Sequence, residues 1–199
     1  MRPTFVACLI VTAALRLGAQ TPSGAPARAV MSAEQQIAAA VLPLPADLRA
    51  GATVMGYAPD GRFVTLREGS GPMTCLASDP AQQRFHVACY HKSLEPFMAR
   101  GRQLRAQGVT GDKVDSVRFR EARAGTLRLP KEPALLYSLT GDRYDAATNS
   151  APGARALFVV YMPYATAEST GLSPSPVRGA PWIMLPGTPK AHIMFVPSM

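Results

Sequence analysis

The chain has 199 residues, 47% of them hydrophobic and 17% charged, so it can bury a core and is not a disordered polyelectrolyte. No apolar run reaches the roughly eighteen residues a membrane-spanning helix needs, so a transmembrane anchor is not expected. The 16 Gly and 19 Pro exclude a mainly helical bundle and point to short elements joined by turns, on a background net charge of +8.

The N-terminus carries the clearest address. Arg2 and the free amine precede an apolar run at 5–15 (FVACLIVTAAL), and Gly18-Ala19-Gln20 follows with small residues. That order predicts a secretory signal peptide over 1–20, with cleavage near Ala19 or Gln20. Cys8 lies inside the apolar run and not after it, which argues against lipid attachment. Loss of residues 1–20 removes Arg2 and Arg16 and leaves 19 basic against 13 acidic side chains, a charge of +6. It also leaves two cysteines, Cys75 and Cys89.

Residues 21–31 (TPSGAPARAVM) read as a flexible linker. Ser32 and Gln35 have capping-box spacing before a short helix that Pro43 and Pro45 stop. A β-meander is expected next, from strands at 53–58, 62–67 and 73–77 with turns at Pro59-Asp60-Gly61 and Gly69-Ser70-Gly71-Pro72. Ser93 is the expected N-cap of a second helix closed by Gly108, with Leu94, Phe97, Met98, Gly101 and Leu104 on one buried stripe. Residues 114–120 read as a strand with Val117 and Phe119 inward and Arg118 and Arg120 outward. The apolar runs 134–139 (ALLYSL) and 156–162 (ALFVVYM) predict central strands. A polar loop separates them, a long Pro/Ser/Thr/Gly loop spans 163–181, and a last pair of strands lies at 182–185 and 191–196. The last of these should be paired within the sheet, covered on both faces and anchored by Phe195.

The segments RAGATVMGY (49–57), LREGS (66–70), TCL (74–76), YSLTGD (137–142), ATNS (147–150) and AHIMFVP (191–197) resemble those of a family of uncharacterised exported bacterial proteins. The resemblance implies export and a shared fold. It transfers no catalytic residue, because no activity is established for that family.

Two cysteines in an exported chain predict one disulfide, Cys75–Cys89. A zinc site from His86, Cys89 and His91 beside Cys75 is the rival reading, but this spacing matches no common closed site. His192 and Met194 would share a strand face and suit a soft metal ion, and the loop residues Asp142, Asp145 and Asn149 are hard oxygen donors. The competing structural readings are a hydrogen-bonded core histidine and a set of Asx-turns. Between 100 and 128 stand eight Lys+Arg and three Asp+Glu, a charge of +5. Arg100, Arg102 and Arg105 project in different directions around the expected helix, and export makes cellular nucleic acid a poor partner, so this is read as a solvated face with weak attraction to anionic surfaces, and no nucleic acid is expected as a partner.

These readings predict an α+β protein: a small, mainly antiparallel sheet with one or two short helices packed on it, as one domain over 32–199. The expected function is non-catalytic binding of an envelope or extracellular ligand, without a cofactor, in the periplasm or the extracellular space. The alternative is a hydrolase or metal-dependent enzyme with a site near His192.

Overall fold

The computed structural model describes residues 29–197, so the expected signal peptide and most of the expected linker lie outside the described residues. Two short helices open it, α1 (Ala33–Ala40) and α2 (Ala46–Arg49). Strands β1 (Thr53–Tyr57), β2 (Phe63–Arg67), β3 (Met73–Leu76) and β4 (Phe85–His91) follow. A 3-10 turn at Lys92–Leu94 leads into α3 (Glu95–Ala106) and α4 (Asp112–Arg123). The chain finishes with β5 (Ala134–Gly141), β6 (Arg155–Tyr161), α5 (Ala167–Thr170), β7 (Trp182–Met184) and β8 (His192–Phe195).

The eight strands form one open sheet in the order β2-β1-β3-β4-β5-β6-β8-β7, antiparallel except between β1 and β3. The α+β expectation therefore holds, while the expected meander does not. β1 and β2 pair as a hairpin, but β3 lies on the other side of β1 and runs parallel to it. To get there the chain crosses the start of β1 at backbone contact. Gly71 N–H donates to the Gly51 carbonyl at 2.7 Å, and Gly69 exchanges hydrogen bonds with the Thr53 hydroxyl. A Cβ on Gly69 would sit 2.3 Å from the Gly51 oxygen and 2.4 Å from the Ala52 carbonyl carbon. Both are backbone atoms, which no rotamer change can move away. Gly69→Ala should therefore lower stability by about 1–3 kcal/mol, the usual scale of overpacking. A urea midpoint equal to that of the parent protein would refute the crossing constraint.

α1 begins as the sequence indicates, with Ser32 and Gln35 in a reciprocal capping box. It packs Ala39 and Ala40 onto one sheet face, where Val54, Cys75, Val87 and Cys89 are fully buried. Gln36 is buried in the same layer, and its amide bridges the Met31 carbonyl and the Tyr57 backbone. Met31, expected to end a flexible linker, is thereby held against the Phe85–Val87 cluster. Pro45 does more than stop α1, since it is also the N-cap of α2.

The other sheet face carries α3 and α4. Leu94, Phe97, Gly101 and Leu104 are buried as the stripe predicts, Met98 is half-buried, and Gly108 takes the left-handed conformation after the C-cap (φ 81°). Ser93 is not the cap of α3; it sits inside the 3-10 turn, which His91 caps through its ring nitrogen.

The segment 114–120 is a helix and not a strand. Gly111 starts α4 at φ 58°, Asp112 and Asp115 occupy its first turn, and Arg120 and Arg123 its last, each charge matched to the helix dipole. Val114 and Arg118, four apart, are its buried positions, so Arg118 points inward, opposite to expectation. The long loop after β6 also contains structure, since Thr166 and Ser169 form a capping box on α5.

β8 is paired on both edges, to β6 and β7, as expected of that strand. Its Phe195, however, is 37% exposed and is not a core anchor. It stands opposite Phe158 on a part of the sheet face that α1 does not reach.

Candidate binding site

The two cysteines occupy directly opposed positions on β3 and β4 and form a disulfide, with sulfurs 2.09 Å apart. The zinc alternative loses both of its thiols to this bond. Its histidine spacing also spans the two sheet faces, because His86 lies on the α3 side while Cys89 and His91 lie on the α1 side.

His192 and Met194 do share a face, as alternation requires, and it is the buried α3–α4 side. The His192 ring stacks on Tyr161, with centroids 5.2 Å apart, and its Nδ1 lies 2.6 Å from the Lys190 carbonyl. That carbonyl is its hydrogen-bond partner among the described residues, so neither a carboxylate nor a hydroxyl orients the ring for catalysis. Burial holds the imidazole below its ordinary value of 6.5, as it does for His86. For both, the unfolded chain takes up protons more readily than the native state. Stability should therefore be full above pH 6.5 and fall as the pH drops below it. Thermal melts between pH 7 and 5 should show this decline and a shallower one in His192→Gln; equal slopes would count against it.

Asp142, Asp145 and Asn149 do not converge on a common point. Asp145 accepts from Ala147 N–H and bridges Ser150, Asn149 accepts from the Tyr144 hydroxyl at φ 47°, and Asp142 lies 4.0 Å from Arg84. These contacts order the loop, and no group of three or more His, Cys, Asp or Glu suited to a metal ion occurs among the described residues.

Three of the eight basic side chains in the stretch 100–128 are ion-paired among the described residues. Arg100 makes a two-pronged pair with Glu121 at 2.6 and 2.8 Å, and Arg102 reaches Glu95 at 2.5 Å and the Tyr90 hydroxyl at 2.8 Å. Arg118, buried, pairs with Asp115, which also accepts from Lys190 at 2.9 Å. Although burial pushes the Asp115 carboxyl up, the hydrogen bonds from Lys190 and Arg118 hold it below the usual carboxylate range.

One concavity carries no signal in the sequence. On the α1 face, a trough of about 740 Å³ opens between α2, the 3-10 turn and the segment 128–133. Leu48, Met73, Leu135 and Tyr137 make it apolar, and Lys92, Arg128 and Lys131 stand around it with Glu132 and His91. Arg128 and Lys131 are exposed and make no ion pair with any described residue. The Lys92 ammonium donates to the Gly69 carbonyl at 3.1 Å and makes no ion pair with any described residue.

The trough floor runs directly onto the sheet. Strand register places Cys75, Cys89, Tyr137, Phe158 and Phe195 in one row across five strands. The cysteine end lies under α1 at 0% exposure, and the row ends in the open at Phe195. Tyr137 and Phe158 meet edge-on with centroids 5.3 Å apart. Their same-face neighbours Leu135, Val160 and Ile193 are only half-buried and, like Phe158 and Phe195, belong to none of the core clusters.

A second cleft of about 710 Å³ lies on the opposite face, between α3 and the strands carrying Phe63, Leu76 and Ala88. Its rim includes His86, Asp79 and Arg102, and burial together with Asp79 pushes the Tyr57 hydroxyl up to about 12. Arg102 is already committed to Glu95 and Tyr90 and lies 5.9 Å from the centre of the Phe63 ring. Arg105 also lines it without an ion pair among the described residues, so this cleft offers one uncommitted cation where the trough offers three.

No family model matches the chain, and no curated protein or solved structure matches it either. The geometry of these surfaces therefore carries the functional argument.

Proposed function

We propose that the protein is an exported, non-catalytic binding protein of the bacterial envelope or extracellular space, with the trough as its ligand seat. One observation carries this reading: an apolar, aromatic row that α1 does not reach stands half-buried to exposed near Arg128 and Lys131, which have no ion-pair partner among the described residues. Contiguous apolar surface rimmed by polar groups marks interaction sites, and water would otherwise wet this surface at a cost in free energy. Export is supported by the order of charge, apolar run and small residues in the first 20 positions and by the cysteine pair. Binding is favoured over catalysis near His192 because that ring is tied to backbone and stacked on Tyr161.

The uncharged dye Nile red tests the seat. The full chain should raise and blue-shift its emission, and Phe158→Ser with Phe195→Ser should remove most of that response while circular dichroism stays unchanged. Ala106→Trp, which narrows the cleft under α3, should leave the response intact. Loss of the signal in Ala106→Trp, with the trough variant unaffected, would move the site to the other face and overturn the assignment.

A further inference from the structure

We infer that the occupant of the trough is a single-chain amphiphile with an anionic head, of the fatty-acid class. The inference rests on the trough being the seat and adds the chemistry of its ligand. The head group is argued from charge. Arg128 and Lys131 are exposed cations with no ion-pair partner among the described residues, and Lys92 spends one donor on the Gly69 carbonyl. All three border the same apolar cavity. Glu132 beside them, and Asp47 close enough to Tyr137 to push its hydroxyl up, offset two of the three charges and leave the rim with a net positive charge. An arginine fork donates two parallel hydrogen bonds to a carboxylate, and the lysines add point charges.

The tail is argued from shape and continuity. From Tyr137 the apolar row passes to Phe158 and then to Phe195, two strand spacings or roughly 10 Å away, with Leu135, Val160 and Ile193 alongside. None of these side chains carries a charge. An unbranched acyl chain lying from the trough along this row would cover the exposed parts of Phe158 and Phe195, which α1 does not reach. The trough is concave, walled by α2 and by 128–133, which suits a single molecule better than a flat bilayer. No step of chemistry is implied, only reversible binding.

The probes are a dansyl-labelled undecanoic acid and its methyl ester, titrated against the full chain by fluorescence. The acid should bind saturably and at least about tenfold more tightly than the ester, as one charge-assisted contact set would give. Arg128→Glu with Lys131→Glu, both at exposed positions, should bring the acid to the level of the ester and leave the ester unchanged. Phe195→Asp should weaken both. Equal binding of acid and ester, or an acid affinity indifferent to the charge reversal, overturns the inference while the seat itself stands. Failure of both probes to bind, together with no Nile red response, removes seat and ligand at once. Sedimentation with vesicles of phosphatidylcholine and phosphatidylglycerol, without binding of the monomeric acid, would assign the face to a bilayer and overturn it. So would a dimer that Phe195→Asp dissociates, which would assign the face to a second copy.

Discussion

Asp115→Ala should destabilise the protein by about 3–5 kcal/mol, the scale on which removing one partner of a buried ion pair acts. The reason is the position of Arg118, whose side chain is only 5% exposed. Its guanidinium lies 4.0 Å from the centre of the Phe97 ring and donates to the Phe97 carbonyl at 3.2 Å, while its Nε has no partner among the described residues. Asp115 supplies the carboxylate that pairs with it among the described residues and also takes the Lys190 ammonium at 2.9 Å. Without that carboxylate, two cations face each other inside the α3–α4 layer, and arginine cannot shed its proton. Replacing the pair by apolar residues should do less harm than breaking it, so Asp115→Leu with Arg118→Met should be more stable than Asp115→Ala alone. Urea denaturation of the three variants checks this. An Asp115→Ala midpoint within about 0.5 kcal/mol of the parent, the range of ordinary surface substitutions, would mean the network is solvated and the assignment wrong. The Asp115 contribution also has a defined pH window. Its carboxyl is held below the ordinary value of 3.8, so the stabilisation is present above that value and is lost as the pH falls through and below it.

Cys75→Ala with Cys89→Ala should cost about 3 kcal/mol, from the chain entropy that closing a short loop removes from the unfolded state. The bond joins residues 14 apart on neighbouring strands, directly beneath α1, and both cysteines are at 0% exposure. Burial makes a second outcome testable. Reductant and alkylating reagent should leave the native protein unmodified and label two thiols only once denaturant is added, as read by intact mass. Labelling of the native protein at the same rate as the denatured one would show that the sulfurs are reachable and that α1 does not seal them. Together the two variants separate the faces of the sheet. The cysteine pair holds the α1 side, and the Asp115 network holds the α3–α4 side.

Much of the secondary structure was legible because its signals are local. Ser32 and Gln35 are three residues apart, the α3 stripe repeats at helical spacing, and the apolar runs of β5 and β6 stand out against polar loops. The misreadings share one cause, in that a local pattern supported two answers and a distant contact chose between them. Val117, Arg118, Phe119 and Arg120 alternate like a strand, yet Asp115 and Phe97 reward a helix that brings Arg118 inward. Gly69 and Gly71 read as a turn, but their role is to let the chain pass over Gly51 and place β3 parallel to β1. Phe195 is apolar enough for a core, but its burial depends on whether a helix reaches its side of the sheet.

From the amino-acid sequence alone came the α+β class, the cysteine pairing and the hydrogen-bonding role of the loop around Asp145, each set by composition, by count or by residues close along the chain. Tertiary structure alone decided the strand order, the inward turn of Arg118 and the trough. Lys92, Arg128, Leu48 and Tyr137 are scattered over some ninety positions and share no motif. They become one surface only because register across β3, β4 and β5 brings their elements to the same end of the sheet. Whether an apolar face is core or binding site depends on what covers it, and α1 is too short, at eight residues, to cover more than the first half of this sheet.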